Sequence, residues 1–321
     1  MFLADKIVIV NKKGCHMKRK KIQFPFSLVL LLLAASCIPR DSSNQIADES
    51  QQKELPQEDI QTATVETIET VESALIQDEF REVAIPASDG KELDGIFYPA
   101  SSENSPLVIL FHWAPGDQTD WREIAFWLQN RGFGEESQTN TEPWLDPSWF
   151  PDIEEEWSFN VLTFNFRGCS GGCGSFNREG WLIDAQSAAE YGFEMEGIDR
   201  EKIIMVGASI GADGAADACL YLNKAHRGSC RGSFSISPGD YLTIDFQSVV
   251  KDLGEVPVRC LFAESDVESA GICGDFQSAN FMAVSYSSGE VKGNGHGMNL
   301  VEPDLDPNPL ELLRDFVSDI L

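Results

Sequence analysis

The sequence has few histidines, and few basic residues compared with acidic ones. Only His16, His112, His226 and His296 occur among its 321 residues, so a reaction that needs an imidazole base has few candidates. Lysine and arginine number 24 against 52 aspartates and glutamates, which gives a formal net charge of −28. Such a charge repels nucleic acids and anionic membrane surfaces, so we expect neither as a direct partner.

A long hydrophobic run is also missing. The apolar segment Phe24–Ala35 has 12 residues, which is too short for a transmembrane helix. It follows the basic segment Met17–Lys21 and is followed by Ser36 and Cys37, the pattern of a secretory signal peptide. Small residues before a cysteine resemble the lipobox of bacterial lipoproteins, which implies cleavage before Cys37 and its lipidation. The lipobox leucine is replaced by alanine here.

Composition divides the chain into three parts. We expect a signal peptide over residues 1–36, with the true start at Met17, and an acidic, disordered tether over 37–78. Residues 79–321 are long enough to form one domain with its own core. Residues 37–321 carry 17 basic and 51 acidic side chains, as expected for a soluble, acidic exported protein. The predicted location is therefore the bacterial cell envelope, outside the cytoplasm, with a lipid anchor on Cys37.

Strand and helix patterns alternate along the third part. This order predicts an α/β fold, with a mostly parallel sheet covered by helices on both faces and a ligand site at the carboxyl ends of the strands. The predicted strands are 107–111, 160–166, 202–206, 232–236, 256–263 and 281–286, and the predicted helices are 120–131, 181–194, 210–222 and 309–320.

One turn carries the pattern of an activated nucleophile. The apolar run Lys202–Val206 leads into Gly207-Ala208-Ser209-Ile210-Gly211, and an alanine-rich segment follows. Between a strand and a helix, Gly-x-Ser-x-Gly holds its serine in a strained conformation with the hydroxyl exposed. A Cβ atom at Gly207 or Gly211 would collide with such a turn. The alternative is a glycine-rich turn with an ordinary serine.

An acid and a base follow Ser209 in the order of the α/β-hydrolases, not in that of chymotrypsin or subtilisin. The predicted strand 256–263 leads to a loop with three carboxylates, Glu264, Asp266 and Glu268. His296 lies in a glycine-flanked loop before the last helix. In the α/β-hydrolases this strand is followed by Gly-x-x-Asp, and the match at 263–266 favours Asp266 as the acid.

The turn after the strand 107–111 is the candidate oxyanion site. Its sequence, His112-Trp113-Ala114-Pro115-Gly116, resembles the His-Gly-x-Pro turn of α/β-hydrolases. The resemblance implies that Ala114 donates a backbone N–H to the oxyanion, together with Ile210. Trp113 replaces the glycine of the family. Its indole either narrows the acyl pocket as a substrate-binding residue or packs sideways, and its N–H is an alternative donor. We expect the histidine to brace the turn.

Residues from about 80 to the end resemble the dienelactone-hydrolase-like α/β-hydrolases, in the broad sense that includes many serine esterases. Further landmarks are Ala87–Gly90, Leu93–Tyr98, Phe164–Gly168 and Ser237–Asp240. The namesake enzymes use a cysteine nucleophile where this chain has Ser209, and prolyl-oligopeptidase relatives have a second glycine where it has Ala212. The resemblance therefore implies a serine esterase acting on small-molecule esters, with Ser209, His296 and Asp266 as its triad and with no cofactor or metal.

Two other functions stay open. A peptidase of the prolyl-oligopeptidase type is disfavoured by Ala212 and by the lack of a propeller domain in this sequence. A non-catalytic, lipid-anchored binding protein with a relict pocket is disfavoured because every chemical part of the triad is present. The sequence assigns neither the acyl length of a substrate nor an oligomeric state.

The remaining cysteines fit an oxidising compartment. Six follow Cys37, and they permit fifteen pairings, of which the pairs near in sequence are the simplest. Those pairs are Cys169 with Cys173, Cys219 with Cys230, and Cys260 with Cys273. The alternative is a zinc site at Cys169 and Cys173, which lacks a second ligand cluster of suitable spacing.

An acidic, tryptophan-rich insertion occupies residues 133–158. It contains Trp144, Trp149 and Trp157. Because it connects a helix to the next strand, we expect it at the amino ends of the strands, opposite the carboxyl ends where the active site is predicted. Its aromatic residues form either a local core on the scaffold or a contact surface for a partner.

Overall fold

The computed structural model describes residues 79–133 and 145–320. They form one eight-stranded sheet with the order β1-β2-β4-β3-β5-β6-β7-β8. Strand β2 is antiparallel to its neighbours β1 and β4, and all other neighbouring strands are parallel. The strands are β1 Arg81–Pro86, β2 Glu92–Tyr98, β3 Ser105–Phe111, β4 Asn160–Phe164, β5 Ile198–Ala208, β6 Cys230–Ile236, β7 Val258–Ala263 and β8 Phe281–Tyr286. The α-helices are α1 Arg122–Gln129, α2 Arg178–Glu194, α3 Ile210–Ala225, α4 Phe246–Asp252, α5 Val267–Cys273 and α6 Pro309–Asp319. The predicted mostly parallel sheet is confirmed.

Helices cover both faces of this sheet, as predicted. Along β3, Leu107 and Ile109 belong to one buried cluster and Val108 and Leu110 to the other, because successive side chains of a strand point to opposite faces. The first cluster includes residues of α2, α3 and α4, and the second includes residues of α1 and α6. All four of these β3 side chains are fully buried, as expected for a central parallel strand.

Several elements were not predicted from the sequence. β1 and β2 form an antiparallel hairpin at one edge, and β1 has only one buried residue, Ile85, so its hydrophobic signal is weak. The short helices α4 and α5 were also missed. The predicted loop 264–268 is partly wrong, because α5 begins at Val267 and Asp266 is the residue that precedes its first turn.

The six cysteines after Cys37 form three disulfides, and these are the pairs near in sequence. Cys169–Cys173 closes a loop after β4, Cys219–Cys230 joins α3 to the start of β6, and Cys260–Cys273 joins β7 to the end of α5. The zinc alternative for Cys169 and Cys173 is wrong for this structure, because their sulfur atoms are bonded to each other.

The described part of the insertion packs on the scaffold. Trp149 and Trp157 contact the cluster that contains α1, and the ring of Phe150 lies 5.4 Å from that of Trp127. Contrary to expectation, part of the insertion reaches the carboxyl ends of the strands: the Lys292 ammonium lies 5.9 Å from the centre of the Trp149 ring, and Lys292 is in the loop after β8. The local-core interpretation fits these contacts. Trp144 lies outside the described residues.

The predictions for the first two parts of the chain also lie outside the described residues. They concern the signal peptide 1–36, the lipidated Cys37 and the tether 37–78. Within residues 79–133 and 145–320, no helix combines the length and the apolar character needed to cross a bilayer.

Candidate active site

Ser209 lies on the sharp turn between β5 and α3. Its backbone has φ 55° and ψ −119°, a strained conformation for a residue with a side chain. Gly207 and Gly211 permit this turn, because a Cβ atom at Gly207 would overlap the carbonyl of Gly211, and one at Gly211 would overlap the carbonyl of Phe111. The second contact brings the start of α3 against the end of β3.

The structure brings Ser209, His296 and Asp266 together. Ser209 Oγ lies 2.8 Å from His296 Nε2, and His296 Nδ1 lies 2.7 Å from Asp266 Oδ2. The three residues are far apart in the chain, but each lies on a loop that follows a parallel strand. Contrary to expectation, Ser209 is only 4% exposed, because its hydroxyl faces the imidazole and not open solvent.

The Asp266 carboxylate is held in its ionised form. Burial alone would raise its pKa, but hydrogen bonds from His296 and from the Ser269 hydroxyl, at 2.6 Å, outweigh burial and lower the pKa below its usual value. Of the other two candidate acids, Glu264 is exposed, and Glu268 is exposed and accepts a hydrogen bond from the Tyr241 hydroxyl at 3.1 Å. Of the three candidates, the structure brings Asp266 to His296.

His112 holds the candidate oxyanion turn. Its Nε2 accepts a hydrogen bond from the Phe166 N–H at 3.0 Å, so Nδ1 carries the proton and donates to the Trp113 carbonyl at 2.7 Å. Burial lowers the pKa of His112 to about 4, which keeps the ring neutral. Because C=O and N–H point in opposite directions across a trans peptide, this bond directs the Ala114 N–H away from His112.

The indole N–H of Trp113 is bound within its own segment. Its Nε1–H donates to Asp120 Oδ2 at 2.5 Å, so the alternative in which this N–H serves the oxyanion is wrong for this structure. The ring lies against the loop of His296, since a Cβ atom added at Gly297 would come within 2.7 Å of the Trp113 ring. Trp113 therefore fills the space between the oxyanion turn and the histidine loop.

Two serines beside the triad were not identified from the sequence. Ser269, on the first turn of α5, is fully buried and donates to Asp266. Ser237, directly after β6, accepts a hydrogen bond from the Gly297 N–H at 3.0 Å and so holds the histidine loop. The Ser237–Asp240 landmark was a signal for Ser237, whereas a serine three residues after a candidate acid is not distinctive.

Asp213 and Tyr241 form a second connection that the sequence did not reveal. Asp213 lies one helical turn after Ser209, is buried, and accepts hydrogen bonds from the backbone N–H groups of Gly239 and Tyr241. Burial raises the pKa of its carboxyl well above the usual value. The Tyr241 ring meets His296 edge-on, with centroids 6.0 Å apart. The helix that begins after Ser209 is thus linked to the surroundings of His296.

Comparison with curated sequences gives two partial relatives. No protein-family model matches the sequence. Two uncharacterized proteins of Mycobacterium tuberculosis, from strains CDC 1551 / Oshkosh and H37Rv, are each 26% identical to it over 133 residues. This match covers 41% of this chain and only 38% of the length of each relative.

Comparison with solved structures identifies the fold. An α/β-hydrolase from Vibrio vulnificus is similar with a TM-score of 0.51 and 16% identity, over 81% of this chain and 88% of that chain. The α/β-hydrolase GrgF from Penicillium sp. sh18 is similar with a TM-score of 0.53 and 12% identity, over 75% of this chain and 98% of that chain. This chain has the α/β-hydrolase fold. Because one fold hosts many reactions, the fold alone does not assign a reaction to this chain.

Proposed function

We propose that this protein is a serine hydrolase that cleaves carboxylic esters of small molecules. The observation that carries the proposal is the continuous hydrogen-bonded chain from Ser209 Oγ to His296 at 2.8 Å and from His296 to Asp266 at 2.7 Å. A nucleophile in contact with a base that is itself oriented by an acid is the arrangement of covalent acyl transfer. The resemblance of the sequence to serine esterases supports esters as the substrate class.

Acylation begins with proton transfer from Ser209. His296 Nε2 takes the hydroxyl proton while Oγ bonds to the ester carbonyl carbon, and the carbonyl π electrons move onto oxygen. The backbone N–H groups of Ala114 and Ile210 donate to this oxyanion. Ionised Asp266 holds the imidazole in the required tautomer and stabilises its positive form.

Collapse of the tetrahedral intermediate completes acylation, and hydrolysis of the acyl-enzyme completes the reaction. The C–O bond to the alcohol breaks, and His296 gives its proton to the departing alcohol oxygen, which leaves an acyl group on Ser209. Water, deprotonated by His296, then attacks the acyl carbon; the bond from this carbon to Ser209 Oγ breaks, His296 returns the proton to Oγ, and the carboxylic acid is released. Every proton passes through His296, so this mechanism needs neither a metal nor a cofactor.

A covalent probe tests the proposal. A fluorophosphonate should label the purified protein at Ser209, and Ser209→Ala should abolish both labelling and turnover of p-nitrophenyl esters. Parallel assays with short-chain and long-chain esters and with aminoacyl anilides separate an esterase from a peptidase. Full esterase activity in Ser209→Ala would refute the assignment of the nucleophile.

In this proposal the enzyme is exported and anchored to the bacterial cell envelope. Signal peptide 1–36 is removed, Cys37 is lipidated, and residues 37–78 hold the catalytic domain away from the membrane. The lipobox-like sequence and the acidic composition support this, and three disulfides suit an oxidising compartment. Expressed in bacteria, the protein should enter the detergent phase, and Cys37→Ser should release it or stall its processing. An unmodified mature N-terminus downstream of Cys37 would contradict the anchor.

A further inference from the structure

The loop closed by the Cys169–Cys173 disulfide contacts the oxyanion turn directly. The Cys173 N–H donates to the Ala114 carbonyl at 2.8 Å. Two residues earlier, the Gly171 N–H donates to Asp117 Oδ2 at 2.7 Å, just beyond the turn. The loop therefore binds the turn and the residue just beyond it, and one of the two bonded residues is Ala114, the proposed oxyanion donor.

Between these bonds the two backbones approach closely. Gly172 has φ +104°, and a Cβ atom there would come within 2.9 Å of the Pro115 carbonyl oxygen. Gly168, directly before the loop, also has a positive φ, of +76°, but a Cβ atom there meets nothing within 4 Å. Position 172 thus needs glycine for two reasons: its φ is positive, and a side chain there would press against the turn.

The disulfide connects this contact to the core. Cys169 is 1% exposed and belongs to the buried cluster that contains α2 and α3, whereas Ser170 is exposed. Without the bridge, the covalent path from Cys169 to Cys173 would run through Ser170, Gly171 and Gly172, and two consecutive glycines give a chain great conformational freedom. The hydrogen bond from the Gly174 N–H to the Gly168 carbonyl, at 3.2 Å, would then close the loop less firmly. The bridge fixes where the Cys173 N–H points.

We propose that the disulfide loop 169–173 is a positioning element that holds the Ala114 N–H in place for the oxyanion, an inference that rests on the proposed ester hydrolysis. His112 fixes the peptide before Ala114 through the Trp113 carbonyl, and Cys173 fixes the peptide after it through the Ala114 carbonyl. With both flanking peptides held, the N–H is directed before substrate arrives, as transition-state stabilisation requires.

The test compares two disulfide deletions in the full-length protein. In Cys169→Ala/Cys173→Ala, kcat should fall about 10- to 100-fold while KM changes less than about threefold, because the oxyanion forms only after binding. Affinity for a boronic acid, which mimics the tetrahedral intermediate, should fall by a similar factor. The matched control is Cys219→Ala/Cys230→Ala. Its bridge ends at the start of β6, at the amino ends of the parallel strands and therefore away from the triad.

The control separates positioning from stability. Its bridge spans 11 residues and the tested bridge spans 4, so loop-closure entropy predicts that the control deletion lowers Tm at least as much as the Cys169/Cys173 deletion does. The control deletion should nevertheless leave kcat within about twofold of the wild type. Both variants are assayed at a temperature at which circular dichroism shows them folded. Wild-type kcat and boronic acid affinity in the Cys169/Cys173 variant, or an equal loss of kcat in the control, would overturn the inference.

A second pair of variants keeps the disulfide intact. Gly172→Ala should push the loop off the Pro115 carbonyl and lower kcat about 10-fold or more, whereas Gly168→Ala should affect Tm alone. Equal kcat values in these two variants would also refute the inference. Failure of the fluorophosphonate to label wild-type Ser209 would instead refute the proposed function, so the two failures are distinguishable.

Discussion

Replacement of Asp266 by asparagine tests the electrostatic part of the site. The change removes one negative charge while it keeps the size of the side chain. Asp266 accepts hydrogen bonds from His296 Nδ1 at 2.7 Å and from Ser269 Oγ at 2.6 Å. Loss of a hydrogen bond to a charged group costs about 1.5–3 kcal/mol, or about 10- to 150-fold in rate when the charge stabilises the imidazolium.

The tautomer of His296 sets the upper limit of the effect. If the asparagine amide donates to Nδ1, the ring proton moves to Nε2, which then cannot accept the proton of Ser209. The corresponding change in a serine protease lowers kcat about 10⁴-fold. We therefore expect Asp266→Asn to lower kcat by about 10² to 10⁴, and because the fold should be little affected, Tm should shift by no more than about 4 °C.

Steady-state kinetics with a p-nitrophenyl ester, together with a thermal melt, measure both quantities. The matched controls are Glu264→Gln and Glu268→Gln, which remove a charge from exposed neighbours and should change kcat less than about threefold. A crippling effect of Glu264→Gln with a mild effect of Asp266→Asn would show that a different carboxylate orients His296.

Two further predictions concern the oxyanion turn. The pKa of His112 is lowered from 6.5 to about 4 by burial, so as pH falls the imidazole is protonated in the unfolded chain before it is protonated in the folded one. This difference should lower the free energy of unfolding by about 3 kcal/mol between pH 6.5 and 4. Urea titrations at several pH values measure this free energy, and it should depend less steeply on pH in His112→Gln than in the wild type. An equal pH dependence in the two proteins would contradict a buried, neutral imidazole. Trp113→Phe keeps an aromatic ring against Gly297 but removes the N–H that binds Asp120, so it should lower stability by about 1–2 kcal/mol while kcat stays within about threefold. A loss of kcat of about 10²-fold or more would restore the indole N–H as an oxyanion donor.

The sequence predicted the parts of the site that have local signals. Ser209 lies in a turn that needs two glycines, and His296 lies in a glycine-flanked loop, so both patterns are visible within five residues. Asp266 had to be chosen from three carboxylates. The α/β-hydrolase pattern favoured Asp266, and in the structure it is the buried one of the three.

The rest depended on contacts between distant loops. Tyr241 reaches His296 because buried Asp213 holds its backbone, and no local pattern reports a contact across 28 residues. The burial of Ser209 was missed for the same reason, since its hydroxyl faces the imidazole of His296, which lies 87 residues further along the chain. α5 escaped prediction because seven residues are too few for a clear helical period.

The Cys260–Cys273 bridge has a consequence for limited proteolysis of this chain. It encloses Asp266 and Ser269 in a ring of the chain that joins β7 to the end of α5. A single cut of the backbone inside this ring leaves the fragment with Ser209 covalently attached to the fragment with His296. The nicked protein therefore remains one molecule until its disulfide is reduced, and on a gel without reductant it migrates as an uncut chain.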